Sequence, residues 1–191
     1  KANNVSVGAH PGYPDLVGFG RRSMNCSIEE IVALVKYQIA AIDGVAKSLG
    51  IELEYVKPHG ALYNDMMVKE DVREAILIAI SGYHRSLKLM LQATPNIKQH
   101  REQAKHFNVE LLSEAFADRC YDDDGKLLSR TKAGAVHNKE KMLAQVKQLK
   151  DQGSVTSISG KILTLNADSL CVHGDNIEGV QAIEAIRELI G

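Results

Sequence analysis

The feature that most constrains the fold is a repeat of form: short β-prone runs alternate with helical stretches, and successive runs end in polar motifs rich in Pro and Gly. Val5-Ser-Val7 opens into Gly8-Ala-His10-Pro-Gly-Tyr13-Pro-Asp15, where two prolines and a glycine oppose both helix and central strand. Leu53–Val56 runs into Lys57-Pro-His59-Gly-Ala-Leu-Tyr-Asn64, Val109–Leu112 into a stretch with Glu114 and Arg119, and Leu170–Val172 into His173-Gly-Asp175-Asn176. A further strand is expected over 87–91.

The intervening stretches carry helical spacing. Ser27 with Glu30 forms a capping-box pattern ahead of apolar Ile31, Leu34, Val35, Ile39, Ile42, Val45, Ala46 and Leu49 at helical spacing, and Gly50 closes that helix. Further helices are expected over about 70–80, 96–107, 138–152 and 180–190. The alternation breaks once, at 155–158 and 161–165, which flank Ser159-Gly160 as a hairpin with a two-residue turn.

Strands joined by helices pair in parallel, because each return crossover uses a helix. The sheet is then an open doubly wound one or a closed barrel, and periodicity does not separate the two. In both, ligands bind at the carboxyl ends of the strands, where His10, His59, Glu114 and His173 are expected. Imidazoles with carboxylates suit general acid–base work or a divalent metal. A histidine beside Pro or Gly also closes a strand by bonding a loop carbonyl, the simpler account of any one alone; four together favour a site.

Asp15 and Asp175 are placed to orient rings or to bind a ligand, or else to form turns. Lys57, at a strand end, suits a carboxylate or phosphate. Glu114, Asp118, Arg119, Tyr121 and Asp122 form the densest charged cluster, with Arg119 suited to an acidic group and 122–125 a tight turn. His84, His100, His106 and His137 are expected on solvated surfaces.

With 191 residues, one domain is expected, burying about 70% of the unfolded surface. Lys plus Arg number 23 against 24 Asp plus Glu, so no net field draws the chain to nucleic acid or anionic lipid. Three scattered cysteines suit neither a disulfide framework nor a zinc site, and no apolar run reaches membrane-spanning length, so a reducing cytoplasm is expected. No P-loop, dinucleotide fingerprint or Gly-x-Ser-x-Gly elbow occurs.

The wording of the motifs is more specific than their placement. The stretches Gly8–Arg22, Val56–Asn64, Glu114–Arg119 and Cys171–Asp175 resemble the LamB/YcsF family along the whole chain. The resemblance implies a distorted, TIM-like, seven-stranded β/α barrel related to polysaccharide deacetylases. It implies a hydrolase acting on the C–N bond of a cyclic amide, opening 5-oxoproline to L-glutamate with ATP and two partner subunits, B and C. The family's opening Asp-Leu-Asn and Gly-Phe-His motifs are not found here, so the chain is expected to start after roughly the first fifth of the domain.

On that reading His10, His59, His173, Asp175 and Glu114 are the catalytic candidates, and Tyr13, Asp15, Lys57, Asn64 and Arg119 the substrate-binding ones. His59 or His173 is the expected general base, Lys57 or Arg119 the holder of the substrate carboxylate, and Asp175 or Glu114 the orienting group. Whether a divalent metal is bound stays open. The alternatives are a stand-alone metal-dependent deacetylase or amidohydrolase, and a non-catalytic scaffold protein.

Overall fold

The computed structural model describes residues 3–191. Residues up to 91 together with 98–112 form one compact unit, and 92–97 with 113–191 form another.

In the first unit, β1 (Val7–Ala9), β2 (Leu53–Val56) and β3 (Lys88–Gln92) lie side by side in parallel. The first strand falls two residues later than the β-prone run suggests. A strand is defined by the ladder it joins, and Gly8 pairs with Tyr55 so closely that a Cβ there would lie 2.3 Å from the Tyr55 ring. Helix α1 (Ile28–Ser48) starts with the capping box of Ser27 and Glu30 and buries Ile31, Val35, Ile39 and Ala46 against α3 (Glu70–Ser81). Ile42, Val45 and Leu49, apolar but off that stripe, are exposed.

Helix α2 (Gly60–Val68) has no counterpart in the expected elements; it starts inside the polar motif after β2 and buries Ala61, Leu62, Asp65 and Met66. Helix α4 (Ile97–His106) matches its expected span within a residue at each end.

In the second unit, β4 (Leu111–Phe116) pairs in parallel with β7 (Ser169–Cys171). Strand β4 extends through Ser113 and Glu114, which are expected from the sequence to lie beyond its end, because Glu114–Phe116 find ladder partners in Ser169–Cys171. Helix α5 (Lys139–Gln152) is capped by Asn138 and packs Met142 and Val146 on Ala117, Ala182 and Ile186. Strands β5 (Ser154–Thr156) and β6 (Ile162–Thr164) form the expected hairpin, with a wider turn closed by Ser157 N–H to Lys161 C=O. The terminal helix is two pieces, α6 (Ile177–Gln181), capped by Asn176, and α7 (Ile183–Ile190).

Among the described residues no helix is long and apolar enough to cross a membrane.

Candidate functional site

In both units the chemistry-bearing residues lie just past the carboxyl ends of two adjacent parallel strands. In the first, the β1–β2 ladder continues into the motifs: Lys57 N–H donates to Ala9 C=O and His59 N–H to Pro11 C=O. That brings His10 and His59 together, with His59 Nδ1 3.0 Å from His10 Nε2 and the rings edge to face. The outer nitrogens meet main-chain carbonyls: His10 Nδ1 that of Lys57 (2.5 Å) and His59 Nε2 that of Phe19 (2.7 Å).

Loop 10–22 is pinned over this pair. Gln38 of α1 exchanges two hydrogen bonds with the Gly12 backbone, and Tyr13 Oη donates to Asp65 Oδ2 (2.9 Å). Tyr13, a substrate-binding candidate, is thus a buried strut whose hydroxyl burial and the neighbouring carboxylate push up in pKa. Asp65 also accepts from Ser23, so the buried carboxylate of this motif lies one residue past Asn64, which is exposed on α2. Asp15 orients neither ring. Its carboxylate is paired with Arg22 and takes the Gly18 N–H (2.9 Å), the turn-forming alternative, and the bond from Arg22 holds its pKa at about 2. Lys57 is half-buried.

In the second unit Ala117 N–H donates to Cys171 C=O, carrying the β4–β7 ladder one step further. Asp118 and His173 follow. His173 Nδ1 lies 3.0 and 3.1 Å from the two oxygens of Asp118, and the His173 ring stacks on Phe116. Asp118 is 1% exposed and also accepts from the His173 N–H and Asn176 Nδ2. Burial alone would raise its pKa; the bonds from His173 and Asn176 outweigh that and leave it lowered. A carboxylate on Nδ1 fixes the tautomer with hydrogen there and turns the Nε2 lone pair outward as a proton acceptor.

Asp118 therefore has the orienting role expected of Asp175 or Glu114. Asp175 faces Arg130 instead (2.8 Å), whose guanidinium lowers its pKa, and Glu114 is a buried strand residue at 1% exposure. Arg119 is also buried, its Nε and Nη2 donated to the carbonyls of Ala135 and Leu128, so the fork expected to grip a substrate braces the 120–135 segment.

Gln145 on α5 is a positioning residue that sequence reasoning missed. Its Nε2 meets the carbonyls of Phe116, Ala117 and Arg119 at 2.7, 3.2 and 2.9 Å, holding the chain on both sides of Asp118. The available signal was an amide inside the apolar stripe of Met142, Val146 and Leu149. His137 and His100, expected on solvated surfaces, are half-buried, and burial lowers the pKa of each. Among the described residues no group of three or more His, Cys, Asp or Glu could hold a metal ion.

The LamB/YcsF family profile matches residues 1–191. The chain belongs to the LamB/YcsF family. Among its relatives, the A subunit of 5-oxoprolinase from Pseudomonas fluorescens is 46% identical over 190 residues, 99% of this chain and 76% of that protein. The same protein of Vibrio campbellii is 45% identical over 187 residues, covering 97% and 74%. The crystal structure of a lactam utilization protein from Thermus thermophilus superposes with a TM-score of 0.87 at 35% identity, over 98% of this chain and 75% of the other. The LamB/YcsF fold expected from the motifs is thus the fold of the chain.

Proposed function

We propose that this chain supplies the A subunit of a 5-oxoprolinase, a hydrolase that opens the lactam of 5-oxoproline to L-glutamate with ATP and two partner subunits, B and C. Its LamB/YcsF relatives carry the name, and the Asp118–His173 pair supplies the chemistry such a step requires.

An unstrained lactam resists water, and transfer of a phosphoryl group from ATP to the amide oxygen would make its carbon a far better electrophile. His173 Nε2 then takes a proton from the attacking water as the water oxygen bonds to that carbon. The C–N bond breaks, and the ring nitrogen gains a proton and leaves as the amine of glutamate. The phosphoryl group is left on the γ-carboxyl as an acyl phosphate, and a second water cleaves that bond, releasing inorganic phosphate and free glutamate. Asp118 holds the ring in the accepting tautomer and stabilises the imidazolium that forms.

The test is His173→Ala in the full-length protein, reconstituted with its partners and measured as ATP-dependent glutamate formation. General-base loss predicts a fall of about 10²- to 10⁴-fold. Unchanged turnover would overturn the assignment and favour a scaffold role. Turnover without any ATP requirement, by a protein holding a stoichiometric divalent ion, would favour a metal-dependent amidohydrolase.

A further inference from the structure

The histidine pair of the first unit presents a problem of proton count. His10 Nδ1 and His59 Nε2 each face a main-chain carbonyl oxygen, and such an oxygen only accepts. Both outer nitrogens therefore carry hydrogen. In two neutral imidazoles the inner nitrogens, 3.0 Å apart, would then point bare lone pairs at each other, a repulsive contact in place of a bond. One more hydrogen between them turns that repulsion into a charge-assisted hydrogen bond. We propose that His10 and His59 share a third proton and work as one singly charged acid–base unit, a proton donor where either ring alone would serve as a base.

The surroundings are built to keep the outer bonds in place. Phe19 has φ of 54°, a costly backbone conformation for a side chain of its size, and this turns its carbonyl onto His59. Its ring meets the His59 ring edge-on at 5.1 Å, and Arg21 lies over the Phe19 ring. The next carbonyl, that of Gly20, receives the Ala61 N–H, so the loop is held on both sides of the pair. Among the described residues, ionisable groups on the same segments include Lys57 on the stretch leaving β2, Arg21 and the Asp15–Arg22 pair in the loop, and Asp65 of α2 with Tyr13 and Lys69. Helix α1 meets the loop through uncharged Gln38. Loss of the shared proton breaks the bond between the rings, so protonation and ring orientation change together. His10 is the exposed member and the route by which the proton leaves. Nothing in this pairing depends on the 5-oxoprolinase reading.

The test is a set of long-range ¹H–¹⁵N histidine spectra of the whole protein, from about pH 5 to about pH 9, bracketing the ordinary histidine range. At neutral pH, His10 Nδ1 and His59 Nε2 should show full N–H shifts and the facing nitrogens intermediate ones. Both rings should then move in one common step that removes a single proton. In His10→Gln the side-chain amide can donate to His59 Nδ1 without charge. In the upper part of the range His59 should then show one protonated nitrogen, Nε2, and an ordinary acceptor shift at Nδ1 in place of the intermediate one. Two neutral rings with both facing nitrogens bare at neutral pH, or a His59 spectrum unchanged by His10→Gln, would overturn the proposal. The wild-type spectra decide the matter alone if the variant does not fold.

Discussion

Single carboxylates in this chain owe their behaviour to their partners, and those partners make two predictions. Asp118→Asn keeps the volume but removes the charge that fixes the His173 tautomer, and its amide can donate to Nδ1 and lock the wrong one. Glutamate formation by the complete enzyme should fall about 10²-fold or more, with KM for 5-oxoproline changing little. Asp15 tests linkage in a different way. Its folded pKa, about 2, lies below the ordinary 3.8, so between those values the unfolded state binds more protons and stability rises with pH. The Asp15 contribution is thus intact above about pH 4 and lost as pH falls toward 2. The stability gap between wild type and Asp15→Asn, measured by urea unfolding, should shrink over that window. A gap of constant size would contradict the Asp15–Arg22 pairing. The sequence marked Asp15 as ring-orienting, ligand-binding or turn-forming, and the turn contact it makes, the bond from Gly18 N–H, is visible only in the folded chain.

At the scale of elements, the junction between β2 and α2 carries the most information per residue. Gly60 has φ of 57°, and a Cβ there would lie 2.5 Å from the Gly20 carbonyl oxygen, main chain that cannot rotate aside. Gly60→Ala should cost about 1–3 kcal/mol in chemical unfolding and push the Gly20 segment off α2, loosening Phe19 from His59. Tolerance of this change within a few tenths of a kcal/mol would argue against the close packing of loop and helix. The motif that looked like loop punctuation is half helix: its Gly serves the entry turn, and Ala61, Leu62, Asp65 and Met66 face inward. Nine residues that begin with Gly soon after Pro58 offered too little periodicity to reveal this. Helix α1 was legible because 21 residues with a capping box and a long apolar stripe leave little room for another answer.

For the whole molecule, the relatives are named as subunits, and the proposed function therefore predicts that activity belongs to an assembly. The purified chain alone should release no glutamate from 5-oxoproline with ATP present, and adding the partner subunits should restore ATP-dependent turnover. Turnover by the chain alone would contradict the multi-subunit reading. The sequence by itself determined the alternation of strands and helices, the parallel pairing that follows from it, the end of the strands at which the polar residues gather and, through the wording of its motifs, the family. These are matters of local periodicity and of short contiguous strings. Tertiary structure alone decided which side chains are partners: that Asp118 and not Asp175 holds His173, that Arg119 is spent on carbonyls, that Gln145 braces the chain around Asp118, and that His10 and His59 meet nitrogen to nitrogen. Such pairings depend on ladder register and on contacts between residues tens of positions apart, and a one-residue change of register would undo each of them.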